Sequence, residues 1–389
     1  MLRAACLVLA VILGGCAKKE PEKVPALELA PVAWTKLPGW SLDDPGPALR
    51  AFKRSCESIG RRAADAAFGQ EPVYGKIGDW QGVCAAAATV EESRARAFFE
   101  ERFTPFAVSD SGSPEGLFTG YYEPQLAGSR IPDERFRHPL HKRPTDLVTV
   151  DLAMFDKSLE GRRIAGKIEG GRLVPYPDRA EIDAGALKGR KLELLWVADP
   201  IDKFFLQIQG SGQVVLPDGG IVRVGYADQN GHPYRAIGRD LIEMGELTRE
   251  NVSMQSIRDW LDRHPEAAPA LMAKNASYVF FRELQLPADA EGPPGAQGVP
   301  LTPGRSVAVD RRFLPLGLPV WLDTTAPWPA GERPLRRLFV AQDTGGAIKG
   351  VVRADVFWGA GPEAAHVAGH MKSSGRYWVL LPKEVVPRT

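Results

Sequence analysis

The chain has 389 residues, with 49 Lys and Arg against 48 Asp and Glu, and 44% of its residues are hydrophobic. This balance lacks the basic excess of a nucleic-acid-binding protein, so we expect no nucleic acid as a partner. The length and ordinary globular composition predict two domains with sizeable hydrophobic cores.

The N-terminus has the features of a lipoprotein signal peptide. Arg3 precedes an apolar run over residues 4–13 that is too short to span a bilayer, and Cys16 follows it after two glycines. We therefore predict cleavage after residue 15 and a lipid on Cys16 that attaches the protein to a membrane. An ordinary signal peptide with a chance cysteine is the alternative. Residues 16–34, rich in Pro, Lys and Glu, are expected to form an extended tether.

Helices are predicted after the tether. Leu49, Phe52 and Cys56 recur at the spacing of one helical face, and a second helical segment over residues 80–88 carries Cys84. In the oxidising compartment that an export signal implies, Cys56 and Cys84 remain as an even pair of cysteines. We predict a disulfide between them, with two buried free cysteines as the alternative.

After residue 106 the pattern changes to short segments rich in Val, Ile, Tyr and Phe, which are typical of β-strands. The first predicted strands are 117–122, 194–198, 204–208 and 213–216. A helical pair is predicted over residues 254–261 and 267–274. The second set of predicted strands is 278–282, 306–309, 319–322, 338–341, 356–358 and 378–381. Two β-rich regions separated by helices indicate two barrels or sandwiches rather than a parallel α/β sheet.

The strongest candidate for chemistry lies in residues 339–350, FVAQDTGGAIKG. An apolar strand runs directly into Asp343, and the glycines that follow leave room for a ligand to approach closely. A partly desolvated carboxyl at a strand end can have its pKa raised toward the working pH, as a general acid requires. Repulsion from Asp355 could add to that rise. On this motif alone, however, Asp before Gly is more often a turn residue.

Other side chains could contact a sugar chain. A period-two strand would place three polar residues on one face, where they could hydrogen-bond substrate: Gln207, Gln209 and Ser211. Aromatic residues that could stack on sugar rings are Tyr121, Tyr122 and Trp358. The alternative for the polar residues is a solvated strand face, and the alternative for the aromatic residues is packing in the core. We expect Glu123 to orient substrate or backbone rather than to catalyse.

Several long motifs follow one another in order. They are 118–124 (FTGYYEP), 205–212 (FLQIQGSG), 225–234 (GYADQNGHPY), 309–310 (VD) with 315–317 (PLG), and 342–350 (QDTGGAIKG) with 353–355 (RAD). The last two resemble the three-aspartate (3D) domain. Together the motifs resemble the membrane-bound lytic murein transglycosylase A family, and the resemblance covers most of the chain from about residue 106 to residue 382.

The resemblance implies a mainly β fold with flanking helices. A double-psi β-barrel domain is expected from residues 35–124 and 248–389, with the 3D domain over about 300–382. A smaller β-barrel domain is expected as an insertion over 125–247, with a glycan groove between the two.

The resemblance also implies the chemistry. Asp343 would be the single catalytic acid and base, supported by Asp310 and Asp355. The enzyme would cleave the β-1,4 bond between N-acetylmuramic acid and N-acetylglucosamine in peptidoglycan. The 6-hydroxyl of the muramic residue would attack its own anomeric carbon and form a 1,6-anhydro end. No metal and no cofactor are implied.

Two other functions stay open from the sequence. One is an inverting peptidoglycan hydrolase that uses Asp343 with Glu123 or Asp355 as its second carboxylate. The other is a non-catalytic glycan-binding lipoprotein. The expected location is the outer membrane, facing the periplasm, because Ala17 rather than aspartate follows Cys16 and because of what the family does. Besides peptidoglycan, enzymes of cell-wall synthesis or hydrolysis stay open as partners.

Overall fold

The computed structural model describes residues 25–159, 162–287 and 290–385, so the predicted signal peptide and Cys16 lie outside the described residues. The first described element is a strand, β1 (Leu27–Pro31), which pairs antiparallel with β2 (Phe103–Asp110). Leu27 and Leu29 alternate with polar Glu28 and pack against the hydrophobic core. The tether predicted to run to residue 34 is therefore wrong from Leu27 onward.

Helices of the N-terminal region pack on the barrel described below. They are α1 (Gly46–Gly60), α2 (Ile77–Ala88) and α3 (Ala95–Arg102). A disulfide joins Cys56 on α1 to Cys84 on α2, which is the pair predicted from the sequence. Phe52 is fully buried where α1 meets the rings of Phe99 and Phe103.

Strand β3 (Gly116–Glu123) leads into the inserted β domain. Its strands are β4 (Gln125–Ser129), β5 (His138–His141), β6 (Val148–Asp151), β7 (Arg163–Glu169), β8 (Arg172–Pro175), β9 (Glu193–Val197), β10 (Ser211–Val215), β11 (Ile221–Gln229) and β12 (Val279–Glu283). Its helices are α4 (Arg179–Asp183), α5 (Pro200–Gln209), α6 (Gly238–Glu243), α7 (Met254–Arg263) and α8 (Ala268–Ala273). Among the described strands, one sheet has the order β12-β11-β10-β4-β9-β5 and another joins β6, β7 and β8. Because β12 pairs with β11, the inserted sheet extends past the boundary predicted at residue 247.

The C-terminal part of the chain completes the larger barrel. Its elements are β13 (Ser306–Val309), β14 (Pro319–Trp328), β15 (Gly331–Asp343), β16 (Arg353–Ala360), α9 (Pro362–His370) and β17 (Lys372–Pro382). The described strands close in the order β3-β17-β14-β15-β13-β16 and back to β3. The β13/β15 and β16/β3 pairs are parallel, and the others are antiparallel. This closed barrel with flanking helices confirms the predicted mainly β fold.

The strand predicted at residues 204–208 is wrong, because these residues lie in α5. Asp199 caps this helix by accepting a hydrogen bond from the N–H of Ile201 at 2.7 Å, and Pro200 occupies its first turn. Gly210 ends it in the left-handed conformation, with φ of 82°. The apolar residues instead follow the helical spacing, and Ile201, Phe204 and Phe205 are buried together. None of the described helices is long and apolar enough to cross a bilayer.

Candidate active site

Asp343 is the last residue of β15, and a β-bulge just before it sets its direction. Val307 pairs with Ala341, whereas the next residue of β13, Ala308, pairs with Asp343. Strand β15 therefore carries one extra residue, Gln342, at this point. A bulge of this kind reverses the alternation of side chains and re-aims the residue that follows it. It brings Gln342 into the core and leaves Asp343 half-buried at the end of the barrel.

Gln342 fixes the strand end to helix α1. Its side chain is fully buried, and its Nε2 donates to the carbonyl oxygen of Ala51 at 2.8 Å and to Oγ of Ser55 at 2.9 Å. Its Oε1 accepts a hydrogen bond from the hydroxyl of Ser306. A buried amide with its donors and acceptor all used holds its backbone in one position. The residue before Asp343 is thus immobilised from two sides.

The carboxylate of Asp343 accepts three hydrogen bonds. Its Oδ1 accepts from the backbone N–H groups of Ala296 and Thr344, both at 2.9 Å, and its Oδ2 accepts from the hydroxyl of Tyr121 at 2.8 Å. Burial raises the pKa of Asp343, and these three hydrogen bonds, which favour the ionised form, limit that rise. A carboxylate has about four lone-pair positions, so one stays available for a proton. The group is suited both to giving and to taking a proton.

Tyr121 and Tyr122 point to opposite faces of β3, as successive strand residues do. The ring of Tyr121 lies 5.3 Å from that of Phe357, and its hydroxyl donates to Asp343. Sugar stacking by Tyr121 stays a prediction. Tyr122 faces α5 and α7 instead. Burial raises its pKa, with opposing effects from the charges of Arg258 and Asp202.

Asp355 lies across one strand from Asp343. Ala308 on β13 pairs with Asp343 on one side and with Asp355 on the other, so the two Cα atoms are separated by two strand spacings, roughly 10 Å. Asp355 accepts a hydrogen bond from the hydroxyl of Thr119. Burial raises the pKa of Asp355. The hydrogen bond from Thr119 and the charge of Arg353 lower this pKa, and the charge of Asp343 raises it further. The sequence suggested that repulsion from Asp355 could add to the rise in the pKa of Asp343. In the structure, burial is what raises the pKa of Asp343.

Asp310 has a different environment from the other two aspartates. It is only 3% exposed, its Oδ2 accepts from the N–H of Gly350 at 2.9 Å, and it forms an ion pair with Arg312 at 2.7 Å. Burial alone would raise the pKa of Asp310, but Arg312 and the Gly350 N–H outweigh it and lower that pKa. A carboxylate that stays ionised cannot be an acid near neutral pH. Asp310 instead holds the far end of the loop over residues 344–350 that follows Asp343.

Comparison with known proteins shows the family to which this chain belongs. The MltA specific insert domain matches residues 117–282, and the 3D domain matches residues 305–381. The membrane-bound lytic murein transglycosylase A of Vibrio cholerae is 33% identical over 338 residues, which are 85% of this chain and 80% of that protein. This chain belongs to the membrane-bound lytic murein transglycosylase A (MltA) family.

Solved structures of MltA proteins have the same fold. The crystal structure of MltA from Neisseria gonorrhoeae matches with a TM-score of 0.79 and 36% identity, covering 93% of this chain and 96% of that one. The crystal structure of E. coli MltA with bound chitohexaose matches with a TM-score of 0.62 and 29% identity, covering 94% and 93% of the two chains. The similarity therefore extends over both MltA domains.

The polar stripe predicted on the MltA insert does not exist as one surface. Gln207 is 5% exposed, its Oε1 accepts from Arg179 and its Nε2 donates to the carbonyl oxygen of Val279 at 3.4 Å, so the prediction that it binds substrate is wrong. Gln209 is half-buried, and its Oε1 has no hydrogen-bond partner within the described ranges. Ser211 is half-buried at the start of β10. Gln209 and Ser211 keep part of their surface exposed, although the Oε1 atom of Gln209 is itself buried.

Glu123 lies at the junction of the two MltA domains and is completely buried. Its Oε2 accepts from Nε2 of Gln213 on β10 at 2.8 Å, and Nε of Arg223 on β11 lies 3.6 Å from Oε1. Burial raises the pKa of Glu123, whereas Gln213 and Arg223 lower it. This carboxyl joins the barrel strand β3 to the insert, in keeping with an orienting role for the backbone.

Trp358 is half-buried on β16, and its ring meets that of Trp328 edge-on at a centroid distance of 5.1 Å. Its indole N–H is buried and has no acceptor in the described part of the chain. Packing thus accounts for one side of the ring, and sugar stacking by Trp358 stays a prediction.

Two groups that hold Asp343 were not identified from the sequence. Gln342 could have been found, because a glutamine inside a run of buried apolar residues must have internal partners. Ala296 could not, since it contributes only its backbone N–H and comes from a Gly- and Pro-rich loop 47 residues away. Nothing about its side chain indicates this contact.

Proposed function

We propose that this protein is a peptidoglycan lytic transglycosylase and that Asp343 is its acid and base. The single observation that carries the proposal is the state of the Asp343 carboxyl, at the end of a barrel strand, with a pKa raised by burial and three donors on its oxygens. Membership in the MltA family supports the same reaction.

The reaction needs one group that first gives and then takes a proton. Asp343 in its neutral form, which burial favours, protonates the glycosidic oxygen as the bond to the anomeric carbon of the muramic residue breaks. The carboxylate that remains is stabilised by the N–H groups of Ala296 and Thr344 and by the Tyr121 hydroxyl. It then accepts the proton of the 6-hydroxyl as that oxygen bonds to the anomeric carbon. No water is consumed. Because the attack is intramolecular, the effective concentration of the 6-hydroxyl at the anomeric carbon is high.

An inverting hydrolase would need a second carboxylate to activate water. Glu123 is completely buried and holds Gln213, so it is poorly placed to meet a water molecule in a glycan groove. Asp355 accepts from Thr119 and lies beside Arg353, which favours a structural carboxylate. Burial also raises the pKa of Asp355, so membership in the transglycosylase family, rather than the environment of Asp355, argues against its use as a second carboxylate.

Mass spectrometry of products formed in ¹⁸O-water separates the candidate functions. Purified peptidoglycan is digested with protein that lacks residues 1–24. A transglycosylase releases 1,6-anhydro-muropeptides that contain no ¹⁸O. Reducing ends that carry ¹⁸O would show a hydrolase instead, and an absence of soluble products would favour a glycan-binding protein.

Substrate contacts are proposed for half-buried side chains that the sequence predicted to bind a sugar chain. The solved E. coli relative binds chitohexaose, a chain of acetamido sugars, and a related glycan is expected in the groove of this protein. The proposed contacts are Gln209, Ser211, Tyr122 and Trp358, each of which is half-buried. An alanine substitution at Gln209 should raise KM more than it lowers kcat.

Membrane attachment is proposed through a lipid on Cys16. The relatives are named membrane-bound, which supports membrane association at the coarser level. We expect radiolabelled palmitate to label the wild type but not Cys16→Ala, and density-gradient fractionation to place the wild type with outer membranes. Sedimentation with inner membranes would contradict the outer-membrane assignment.

A further inference from the structure

A tight loop over residues 295–299 carries the Ala296 N–H that donates to Oδ1 of Asp343 at 2.9 Å. The N–H of Gly295 donates to the carbonyl oxygen of Val299 at 3.0 Å, which closes the loop on itself. Ala296 is exposed, so burial of its side chain contributes little to holding its N–H in place. The distance between this N–H and the carboxylate therefore depends on what fixes the loop to the rest of the protein.

Gln297 attaches the loop to the end of β15. Its backbone N–H donates to the carbonyl oxygen of Gln342 at 3.0 Å. The successive N–H groups of Ala296 and Gln297 thus bind two consecutive residues of β15, because the first of them donates to Asp343. A Cβ atom on Gly295 would lie 2.5 Å from the same carbonyl oxygen of Gln342, so this close approach of loop and strand requires glycine.

The side chain of Gln297 connects the loop to helix α1 as well. Its Oε1 accepts from Oγ of Ser55 at 2.7 Å, and its carbonyl oxygen accepts from Oγ of Ser58 at 3.2 Å. Ser55 is fully buried, and its Oγ also accepts from Nε2 of Gln342 at 2.9 Å. A hydroxyl has one proton, which here is directed at Gln297, while a lone pair of the same oxygen meets Gln342. One buried hydroxyl therefore links the loop to the strand end.

We propose that Gln297, held by the hydroxyl of Ser55, is a positioning residue of the reaction, because it keeps the Ala296 N–H on Oδ1 of Asp343. It acts through the Ala296 backbone rather than on the substrate. The proposal rests on the proposed role of Asp343 as acid and base. When the side chain of Gln297 is lost, the loop can move away from β15, and Oδ1 retains only the Thr344 N–H. The carboxylate formed by proton transfer is then less well stabilised.

Replacing Gln297 by another neutral residue leaves the charges around Asp343 unchanged. Within the described part of the chain, the titratable groups that interact with Asp343 are Tyr121 on β3 and Asp355 on β16. Gln297→Met removes the acceptor for the serine hydroxyl, keeps the approximate length of the side chain and adds no charge. A change in the pKa of Asp343 in this variant therefore reports the position of the Ala296 N–H.

The test compares Gln297→Met with Gln81→Met. Gln81 is the matched control because it is half-buried like Gln297 and its Nε2 also bonds helix α1, donating to the carbonyl oxygens of Ile59 at 3.3 Å and Arg62 at 2.9 Å. Release of 1,6-anhydro-muropeptides, measured across a range of pH, gives kcat and KM for each protein. Hydrogen–deuterium exchange measures the protection of the loop over residues 295–299 without substrate.

We expect Gln297→Met to lower kcat about tenfold, with KM within about twofold of the wild type. The alkaline limb of its kcat profile should move to higher pH by about half a unit or more, because a donor that favours the ionised carboxylate is displaced. The loop over residues 295–299 should exchange faster than in the wild type. Gln81→Met should keep the wild-type kcat, alkaline limb and loop exchange.

Ser55→Ala removes the same hydrogen bond from the side of helix α1. Because the two residues act through one bond, Ser55→Ala with Gln297→Met should lower kcat no further than the larger of the two single effects. Single effects that multiply in the double variant would overturn the proposal, as would an alkaline limb that stays in place in Gln297→Met. A wild type that releases no 1,6-anhydro products would overturn the proposed function instead, and loop exchange would then decide alone whether Gln297 holds the loop.

Discussion

The hydroxyl of Tyr121 lies 2.8 Å from Oδ2 of Asp343, although 222 residues separate the two in the sequence. Closure of the barrel brings them together, because strand β3 comes from the N-terminal part of the chain and strand β15 from the C-terminal part. The proposed acid and base and the tyrosine that donates to it therefore come from parts of the chain that are far apart in sequence.

Tyr121→Phe should shift the pH dependence of the reaction. The hydroxyl favours the ionised form of Asp343, so its removal raises the pKa of Asp343 further. The alkaline limb of the kcat profile, where Asp343 loses its proton, should move to higher pH. The value of kcat should fall about tenfold, because the carboxylate formed by proton transfer loses one of its donors. Tyr122→Phe, on the opposite face of β3, should leave the limb in place, and a limb that moves to lower pH in Tyr121→Phe would contradict this assignment.

Glu123→Gln tests whether a second carboxylate takes part. The substitution keeps the shape of the side chain and its hydrogen bond to Gln213, and it removes a charge that burial disfavours. We expect kcat to stay within about threefold of the wild type, since transglycosylation needs one carboxyl. A fall of 100-fold or more, with an unchanged melting temperature, would instead identify Glu123 as a catalytic acid or base.

Gln342→Ala should destabilise the protein rather than alter its chemistry directly. The change leaves the Ala51 carbonyl and the hydroxyls of Ser55 and Ser306 without their buried partner. The expected loss is about 2–4 kcal/mol of the free energy of unfolding, from the unpaired groups and the cavity together. Urea denaturation measures it, and the exposed Gln70→Ala should change stability by less than about 0.5 kcal/mol. Equal midpoints for the two variants would show that Gln342 does not fix the end of β15.

Loss of the disulfide should lower stability without removing activity. Cys56 and Cys84 close a loop with a sequence separation of 28, for which chain entropy predicts about 3–4 kcal/mol. The double variant Cys56→Ala with Cys84→Ala should unfold at lower urea concentration than the oxidised wild type, and dithiothreitol should shift the wild type by a similar amount. No shift with dithiothreitol would mean that the native protein has free thiols.

The mainly β class and most barrel strands could be predicted from the sequence, because short apolar segments, such as SVAV in β13 and YWVLL in β17, define the strands locally. The register could not. The bulge that re-aims Asp343 depends on Gln342 finding Ser55 on a distant helix, and no local pattern records that contact. Strand β1 was missed because its pairing with β2 decides its structure more than its short alternation does.

The largest error at the site came from giving an apolar run more weight than its flanking residues. Residues 204–208 form a short apolar segment that looks like a strand, but Asp199, Pro200 and Gly210 are start and stop signals of a helix. Reading α5 as a helix would have predicted that Gln207 lies on its buried face beside Lys203. The position of Asp343 at the end of a buried strand could be predicted from its motif, whereas its assignment as the acid depended on the resemblance to the family.

Asp343→Asn offers the most direct test of the central claim, which is that Asp343 is the acid and base. The pKa of the Asp343 carboxyl in the folded protein lies above its ordinary value. The stability that the proton on this carboxyl contributes is therefore lost as the pH rises past the pKa of the folded state. At neutral pH the substitution should therefore leave the melting temperature unchanged or raise it. A loss of activity could then not be attributed to unfolding.

The measurement is the yield of 1,6-anhydro-muropeptides from purified peptidoglycan, by mass spectrometry, for Asp343→Asn, Asp355→Asn and the wild type. The proposed mechanism predicts a fall of at least about 1,000-fold for Asp343→Asn, and a smaller fall for Asp355→Asn because Asp355 only supports the site. A folded Asp343→Asn protein that keeps more than about a tenth of the wild-type yield would contradict the assignment of Asp343 as the acid and base.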